Sequence, residues 1–308
     1  MTTSLVGPPG GTPPYGIILK DLRSGSAIPF LGAGASMVGR QNGDTTYLPS
    51  GSDLARSLAK GARFPSSDEA DVTDLSKVSS YYVDVSSRGS LRRELRSVFA
   101  DEQKKYCYND LHRFLAQIAD NMMVVTTNYD TLLERAFIDA KKPYDLVVYP
   151  ADNEEYANAI FWWRHEAAEP DLLRPQDIDI GALGKTNVIF KMHGSVGEKV
   201  DKWDSFVITE EDYIDFLSRM ESAVPSAFSG YFASKSFLFL GYGLKDWNLR
   251  LLLKKIRRQP NLMQPTSWAM QLDPSALDGE LWQKRGVKLY NVRLEDFVVE
   301  MQKEMTQL

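Results

Sequence analysis

Short, mostly apolar runs that end in glycine or polar residues, most of them followed by a helical pattern, constrain this chain more than any other feature. Ala27 to Leu31, Met122 to Thr126, Tyr144 to Tyr149, Asn187 to Met192, Ser236 to Leu240, Ser267 to Met270 and Val287 to Tyr290 have strand length. Thr131 to Ala140, Asp246 to Ile256 and Asp296 to Met305 carry helical spacing; in the second, Leu249, Leu252, Leu253 and Ile256 share one face. A strand with no polar side must be covered on both faces, and alternating helices cover it in that way. The expected fold is α/β: a doubly wound parallel sheet whose ligand crevice lies beyond the carboxyl ends of its strands.

Two stretches interrupt the alternation. Residues 50–120 hold helical patterns and no convincing buried strand, and read as an inserted helical module. Within it, Leu111, Phe114, Leu115 and Ile118 form an apolar stripe, with His112 on the side expected to face solvent. Residues 151–186 are polar around Trp162 and Trp163 and read as an irregular insertion. Residues 1–16 contain four glycines, four prolines and no charge, and read as a mobile tail without the basic start and apolar run of a signal peptide. Residues 17–308 then form one domain.

Composition narrows the function. The 36 basic residues against 41 acidic ones give a net charge of -5, which disfavours bulk binding of nucleic acid by this chain. No apolar run approaches the roughly 20 residues of a membrane helix, so a cytoplasmic protein is expected. The single cysteine, Cys107, excludes an intramolecular disulfide and any zinc site built from paired cysteines. The three histidines show no ligand spacing with each other or with Cys107, so no metal is expected.

Four motifs stand at strand ends. Gly32-Ala33-Gly34-Ala35-Ser36 follows the first strand, and its small residues let backbone amides approach a pyrophosphate, or simply make a tight turn. Thr127-Asn128-Tyr129-Asp130 follows the second. Asp130 fits a helix cap as well as a ligand contact, and one cap suffices, which leaves Asn128 the stronger candidate. His193, in Lys191-Met192-His193-Gly194-Ser195, is the one histidine placed where a strand-end side chain would face a crevice. Gly241, Tyr242, Gly243 and Asp246 form a further strand-to-helix turn, where Asp246 could serve as the N-cap.

In this order, GAGAS, TTNYD, KMHGS and FLGYGLKDWN resemble the sirtuin-like domain family, most of all its bacterial anti-phage defence branch. The resemblance runs from about Ile28 to Asn248. It implies a Rossmann-like NAD-binding fold with Gly32, Ala33, Gly34 and Ser36 along the pyrophosphate and ribose. It also implies Asn128 and Asp130 at the nicotinamide end, His193 as the catalytic histidine near the nicotinamide ribose, Gly241, Tyr242 and Gly243 beside the adenosine half, and Thr127 and Asp246 as further cofactor-binding residues.

The departures carry equal weight. Sirtuin deacylases hold zinc with two cysteine pairs, and residues 194–241 here contain no cysteine. Where those enzymes carry Gln-Asn-Ile-Asp, this chain has Thr127-Asn128-Tyr129-Asp130. Both departures match the defence-type relatives, which resemble NAD hydrolases. The expected activity is therefore NAD+ glycohydrolysis to nicotinamide and ADP-ribose, with Asn128 and His193 as catalytic residues, NAD+ as substrate and no zinc. An NAD or ADP-ribose sensor, or a zinc-free deacylase or ADP-ribosyltransferase, is the alternative. The resemblance further implies an abortive-infection effector, as a homo-oligomer or with a separate sensor or ATPase subunit such as a HerA-type translocase or a short Argonaute-type protein. Trp162, Trp163 and Trp247 are candidate interface aromatics, with core packing as the alternative. The basic run Lys254 to Arg258 reads as a solvated helix end.

Overall fold

The computed structural model describes residues 10–41, 43–100, 106–150, 152, 156, 159–178, 185–197, 201–223, 226–243 and 265–307. In chain order the elements are α1 (Tyr15–Arg23), β1 (Ala27–Leu31), α2 (Gly51–Ala62), α3 (Glu69–Val72), α4 (Leu75–Val85), α5 (Arg88–Phe99) and α6 (Asp110–Ile118). Next come β2 (Met123–Thr126), α7 (Leu132–Asp139), β3 (Tyr144–Val148), β4 (Ile160–Trp163), β5 (Asp171–Leu173), β6 (Asn187–Lys191), β7 (Gly194–Ser195) and β8 (Ser205–Phe206). The chain closes with α8 (Glu210–Ala223), α9 (Ser226–Ala233), β9 (Ser236–Leu240), β10 (Ser267–Gln271), α10 (Ala276–Gln283), β11 (Val287–Asn291) and α11 (Leu294–Gln307).

Nine strands join one sheet in the order β11-β10-β9-β1-β2-β6-β3-β4-β5. Its strands are parallel from β11 through β3. The chain builds outward from β1, first through β2 and later through β9 on the opposite side. The strand order thus reverses beside β1, where such sheets open a ligand crevice.

Alternate residues of the same strands point to opposite faces, and both faces are dry. On one face Phe30, Val125, Phe190 and Phe239 pack with Phe228 and Phe232 of α9 and Trp282 of α10. On the other, Leu31, Val124, Ile189 and Leu238 meet Leu19 of α1, Phe114 of α6, Leu133 of α7 and Phe297 of α11. The expected α/β architecture is the one observed.

The stretch between β1 and β2 divides in two. Helices α2, α4 and α5 share their own core through Leu54, Leu58, Val78, Leu91 and Leu95, and the β7–β8 hairpin closes it with Val196 and Phe206. Helix α6 packs on the sheet instead. Arg88 and Arg96, two turns apart on α5, fasten the module by ion pairs. Arg88 reaches Asp152 at 2.9 Å and Asp212 at 2.7 Å, and Arg96 reaches Asp204 at 2.5 Å.

The sequence reading needs correction at three points. His112 is buried, because its Nδ1 accepts from the Asn109 amide in a capping box that draws the ring inward. Tyr15 and Gly16, read as part of the tail, open α1, where Tyr15 packs on Phe297. Part of 151–186 is regular: β4 and β5 extend the sheet antiparallel, led by the apolar run Ile160-Phe161-Trp162-Trp163. Of the two readings open for Trp162, core packing is the one observed, its indole N–H donating to Asp145 at 2.8 Å. Asp246, Trp247, the helix expected over Asp246–Ile256 and the basic run lie outside the described residues.

Candidate active site

Leu31 pairs with both Thr126 and Leu240, and Thr126 pairs with Lys191. Four adjacent strands therefore end at one level, and the four sequence motifs leave the sheet side by side. Asn128 and His193 each lie two residues beyond the Thr126–Lys191 pair.

The glycine turns are used first by the chain itself. Gly241 has φ +75°, and a Cβ there would stand 2.0 Å from the Ala35 amide nitrogen. The Gly34 amide donates to the Gly241 carbonyl at 2.9 Å, and the Gly32 amide to Leu240 at 3.0 Å. Bare backbone is needed because one turn lies on the other. The Gly32 and Gly34 amides are spent on this contact, so the physical reason for their small size is turn-on-turn packing. Ala33 and Gly243 are exposed at its rim, with Gly34 and Tyr242 half-buried beside them.

A hydrogen-bonded chain orients Asn128. Its Nδ2 donates to the Gly32 carbonyl at 3.2 Å and to Ser36 Oγ at 3.1 Å. Ser36 Oγ in turn donates to Asp130 Oδ2 at 3.0 Å. A carbonyl can only accept, so the amide is held with its NH2 toward Gly32 and Ser36. Among the described residues that leaves Oδ1 as a free acceptor on a half-buried side chain. Asp130 Oδ1 meanwhile accepts from the Leu132 amide at 3.1 Å, so Asp130, one residue before the α7 N-cap Thr131, both meets an amide at the helix start and anchors Ser36. Thr127 Oγ1 lies 2.8 Å from the Tyr242 hydroxyl, tying the second turn to the fourth.

His193 is buried, its ring edge-on to Phe216 at 4.8 Å and Tyr213 at 5.6 Å. Burial alone pushes its pKa down to about 3, so the ring is neutral near pH 7. A neutral imidazole offers one donor and one acceptor, which suits hydrogen bonding to a hydroxyl better than bulk proton abstraction. The backbone around it is rigidly set. Gly194 has φ +85°, and a Cβ there would meet the Ser205 carbonyl at 2.1 Å, so the hairpin demands glycine immediately after the histidine.

Sequence reasoning passed over Lys191. It is 1% exposed, and its ammonium reaches the Asp130 carbonyl at 2.5 Å, the Tyr129 carbonyl at 3.3 Å and Ser195 Oγ at 3.1 Å. Glu134 Oε1, from α7, balances it at 2.6 Å, and burial raises the Glu134 pKa. A lysine closing a strand directly after the buried apolar run Val188-Ile189-Phe190 was the available signal. Asn109 was also missed: its Nδ2 donates to the Ala35 carbonyl at 2.8 Å and supports the first turn from behind.

Among the described residues, no cluster of three or more His, Cys, Asp or Glu side chains is arranged to hold a metal ion. No helix among them is long and apolar enough to cross a membrane. Beyond the four strand ends stand an amide (Asn128), an imidazole (His193), a serine (Ser36), a carboxylate (Asp130) and a tyrosine (Tyr242).

A family model described as the SIR2-like domain matches residues 122–290. The chain is 26% identical over 244 residues to a protein named NAD(+) hydrolase ThsA from Cytobacillus dafuensis, covering 78% of this chain and 40% of that protein. A protein of the same name from Acinetobacter baumannii (strain 532279) is 28% identical over 245 residues, covering 78% and 41%. Defense-associated sirtuin 2 of Bacillus subtilis is 22% identical over 169 residues, covering 54% and 14%. The chain thus spans about two fifths of the length of the ThsA relatives.

Proposed function

The chain belongs to the SIR2-like domain family, and on that premise we propose that it hydrolyses NAD+ to nicotinamide and ADP-ribose as part of a defence response. The names of its relatives support the reaction class. The observation that carries the reading is the fixed Asn128 amide, whose Oδ1 has no hydrogen-bond partner among the described residues, at the end of the strand next to the one that leads into buried, neutral His193.

The reaction suits such a site. When the bond between the nicotinamide nitrogen and ribose C1′ breaks, its electron pair goes to the ring nitrogen. The cationic pyridinium thereby leaves as neutral nicotinamide. Water oxygen adds to C1′ and its proton passes to solvent. No strong acid is required to expel the leaving group. The site has to hold the ribose and orient the water while charge develops at C1′. Asn128 Oδ1 accepts a hydrogen bond from a ribose hydroxyl or from the attacking water. His193, neutral, accepts from the other hydroxyl. Ser36 and Asp130 keep the amide from turning its NH2 toward the cationic centre, where it would repel.

The same reading includes control by assembly, with a second copy or a separate sensor or ATPase subunit, because an unrestrained NAD hydrolase would drain its host. Nicotinamide release is therefore measured for the protein alone and with the product of a neighbouring gene plus DNA. Release by the wild type that is lost in Asn128→Ala and in His193→Ala is expected. Normal release by either variant would overturn the assignment. ADP-ribose binding without release in every combination would favour a sensor.

A further inference from the structure

Two of the four strand-end turns carry the reacting groups, and one buried side chain holds both. Lys191 closes β6 at the level where β6 pairs with β2. Its ammonium grips the carbonyls of Tyr129 and Asp130, the two residues after Asn128. It also bonds Ser195 Oγ, two residues after His193. Excluding a lysine ammonium from water is costly unless its donors are met and its charge is balanced. Here the donors go to these two turns, and the balance comes from Glu134, itself 5% exposed. A purely apolar residue would continue the strand with no such cost, so the position of the ammonium needs another explanation.

We propose that Lys191 is a positioning residue for the reaction: its buried ammonium, neutralised by Glu134, fixes the Asn128 turn against the His193 turn. This inference rests on the NAD+ hydrolase reading above. A shift of about 1 Å between two reacting groups is enough to cost on the order of 10²-fold in rate. Loose turns would still bind the dinucleotide through the remaining strand ends, so the effect belongs in kcat.

The test separates the tie from the charge pair. Glu134→Gln keeps the bonds of Lys191 to both turns but leaves its ammonium buried without a counter-charge, so it is expected to lower the melting temperature and to report on the charge pair, not on the tie. The double variant Lys191→Met, Glu134→Gln removes both charges with side chains of similar length. It is expected to melt near the wild-type temperature, to bind ADP-ribose with unchanged Kd by calorimetry, and to lose at least about tenfold in kcat. If the double variant does not fold, Ser195→Ala decides. Only the tie to the histidine turn is lost there, and a kcat lowered by about two- to fivefold at unchanged ADP-ribose affinity supports the proposal.

Wild-type kcat in the folded double variant, or in Ser195→Ala where that variant decides, overturns it. So does a fall in ADP-ribose affinity that parallels the fall in kcat. Wild-type protein and Asn128→Ala run alongside. Turnover by the wild type and its loss in Asn128→Ala keep the hydrolase reading, whatever Lys191 does. A wild type that releases no nicotinamide removes that reading and the inference with it.

Discussion

The Ser36 hydroxyl accepts from Asn128 Nδ2 at 3.1 Å and donates to Asp130 Oδ2 at 3.0 Å, so one oxygen joins the first strand-end turn to two polar residues of the second. Ser36→Ala deletes both bonds and leaves the Asn128 amide held by Gly32 alone. Nicotinamide release should fall about 10- to 100-fold in kcat, equivalent to about 1.4–2.8 kcal/mol of transition-state stabilisation. Thermal stability should change little by comparison. An unaltered kcat would mean that Ser36 does not orient the amide.

Gly241→Ala tests the contact between the two glycine turns. The added methyl group would sit 2.0 Å from the Ala35 amide nitrogen, and that neighbour is backbone, which cannot swing aside. The residue would also be held at φ +75°, a region costly for alanine. A loss of about 3 kcal/mol or more is expected, read as a lower denaturant midpoint. A midpoint within error of wild type would show that the turns can separate without penalty.

Acid should destabilise the fold through its buried histidines. Burial pushes His112 down to about 4 and His193 to about 3, both from 6.5. Between pH 6.5 and those values the unfolded chain takes up protons that the native fold refuses. Stability therefore rises with pH across this window and is lost as pH falls through it, by up to about 1.4 kcal/mol per pH unit for each ring. Urea midpoints taken from pH 6.5 to pH 5 should show this slope. His112→Gln, which can still accept from the Asn109 amide, should remove about half of it. A slope unchanged by that substitution would place the proton uptake elsewhere.

The helical module is fastened by a pair whose acid cannot reach water. Asp204 is 1% exposed, and burial raises its pKa against the Arg96 guanidinium that holds it. Arg96→Ala should cost about 3–5 kcal/mol, since it strands a buried charge. Adding Asp204→Asn should restore part of that loss, because the amide oxygen can still accept from the Gly197 amide that now bonds Oδ1 at 2.9 Å. Equal unfolding midpoints for Arg96→Ala and wild type would show that the pair is solvated in solution.

Much of the sheet was legible because strands such as Ala27–Leu31 and Ser236–Leu240 are buried on every residue and read as unbroken apolar runs. Asn128 stood out because one cap suffices for the helix that follows; in the structure Thr131 is the N-cap of α7 without a side-chain bond, and Asp130 meets the Leu132 amide at the helix start. Periodicity failed at His112, since it assigns a polar residue to solvent and cannot see a ring folded back on its own helix start. It failed at Lys191 for a related reason. A charged residue at a strand end looks like the edge of the core until its partners, 61 and 57 residues earlier in the chain, are in view. The turn glycines were noticed, but their use in holding two loops together becomes visible only once β1 and β9 are neighbours.

Asn128 and His193 each follow one paired rung, Thr126 with Lys191, by the same count of two. The candidate site is therefore specified by spacing as much as by residue type. Inserting one glycine between Lys191 and His193 would keep every functional group in the chain, yet the imidazole would leave the hairpin on the wrong side and a step too far along. For a chain of this kind, the number of residues between the last rung and the reacting group is as informative a signature as the motif letters themselves.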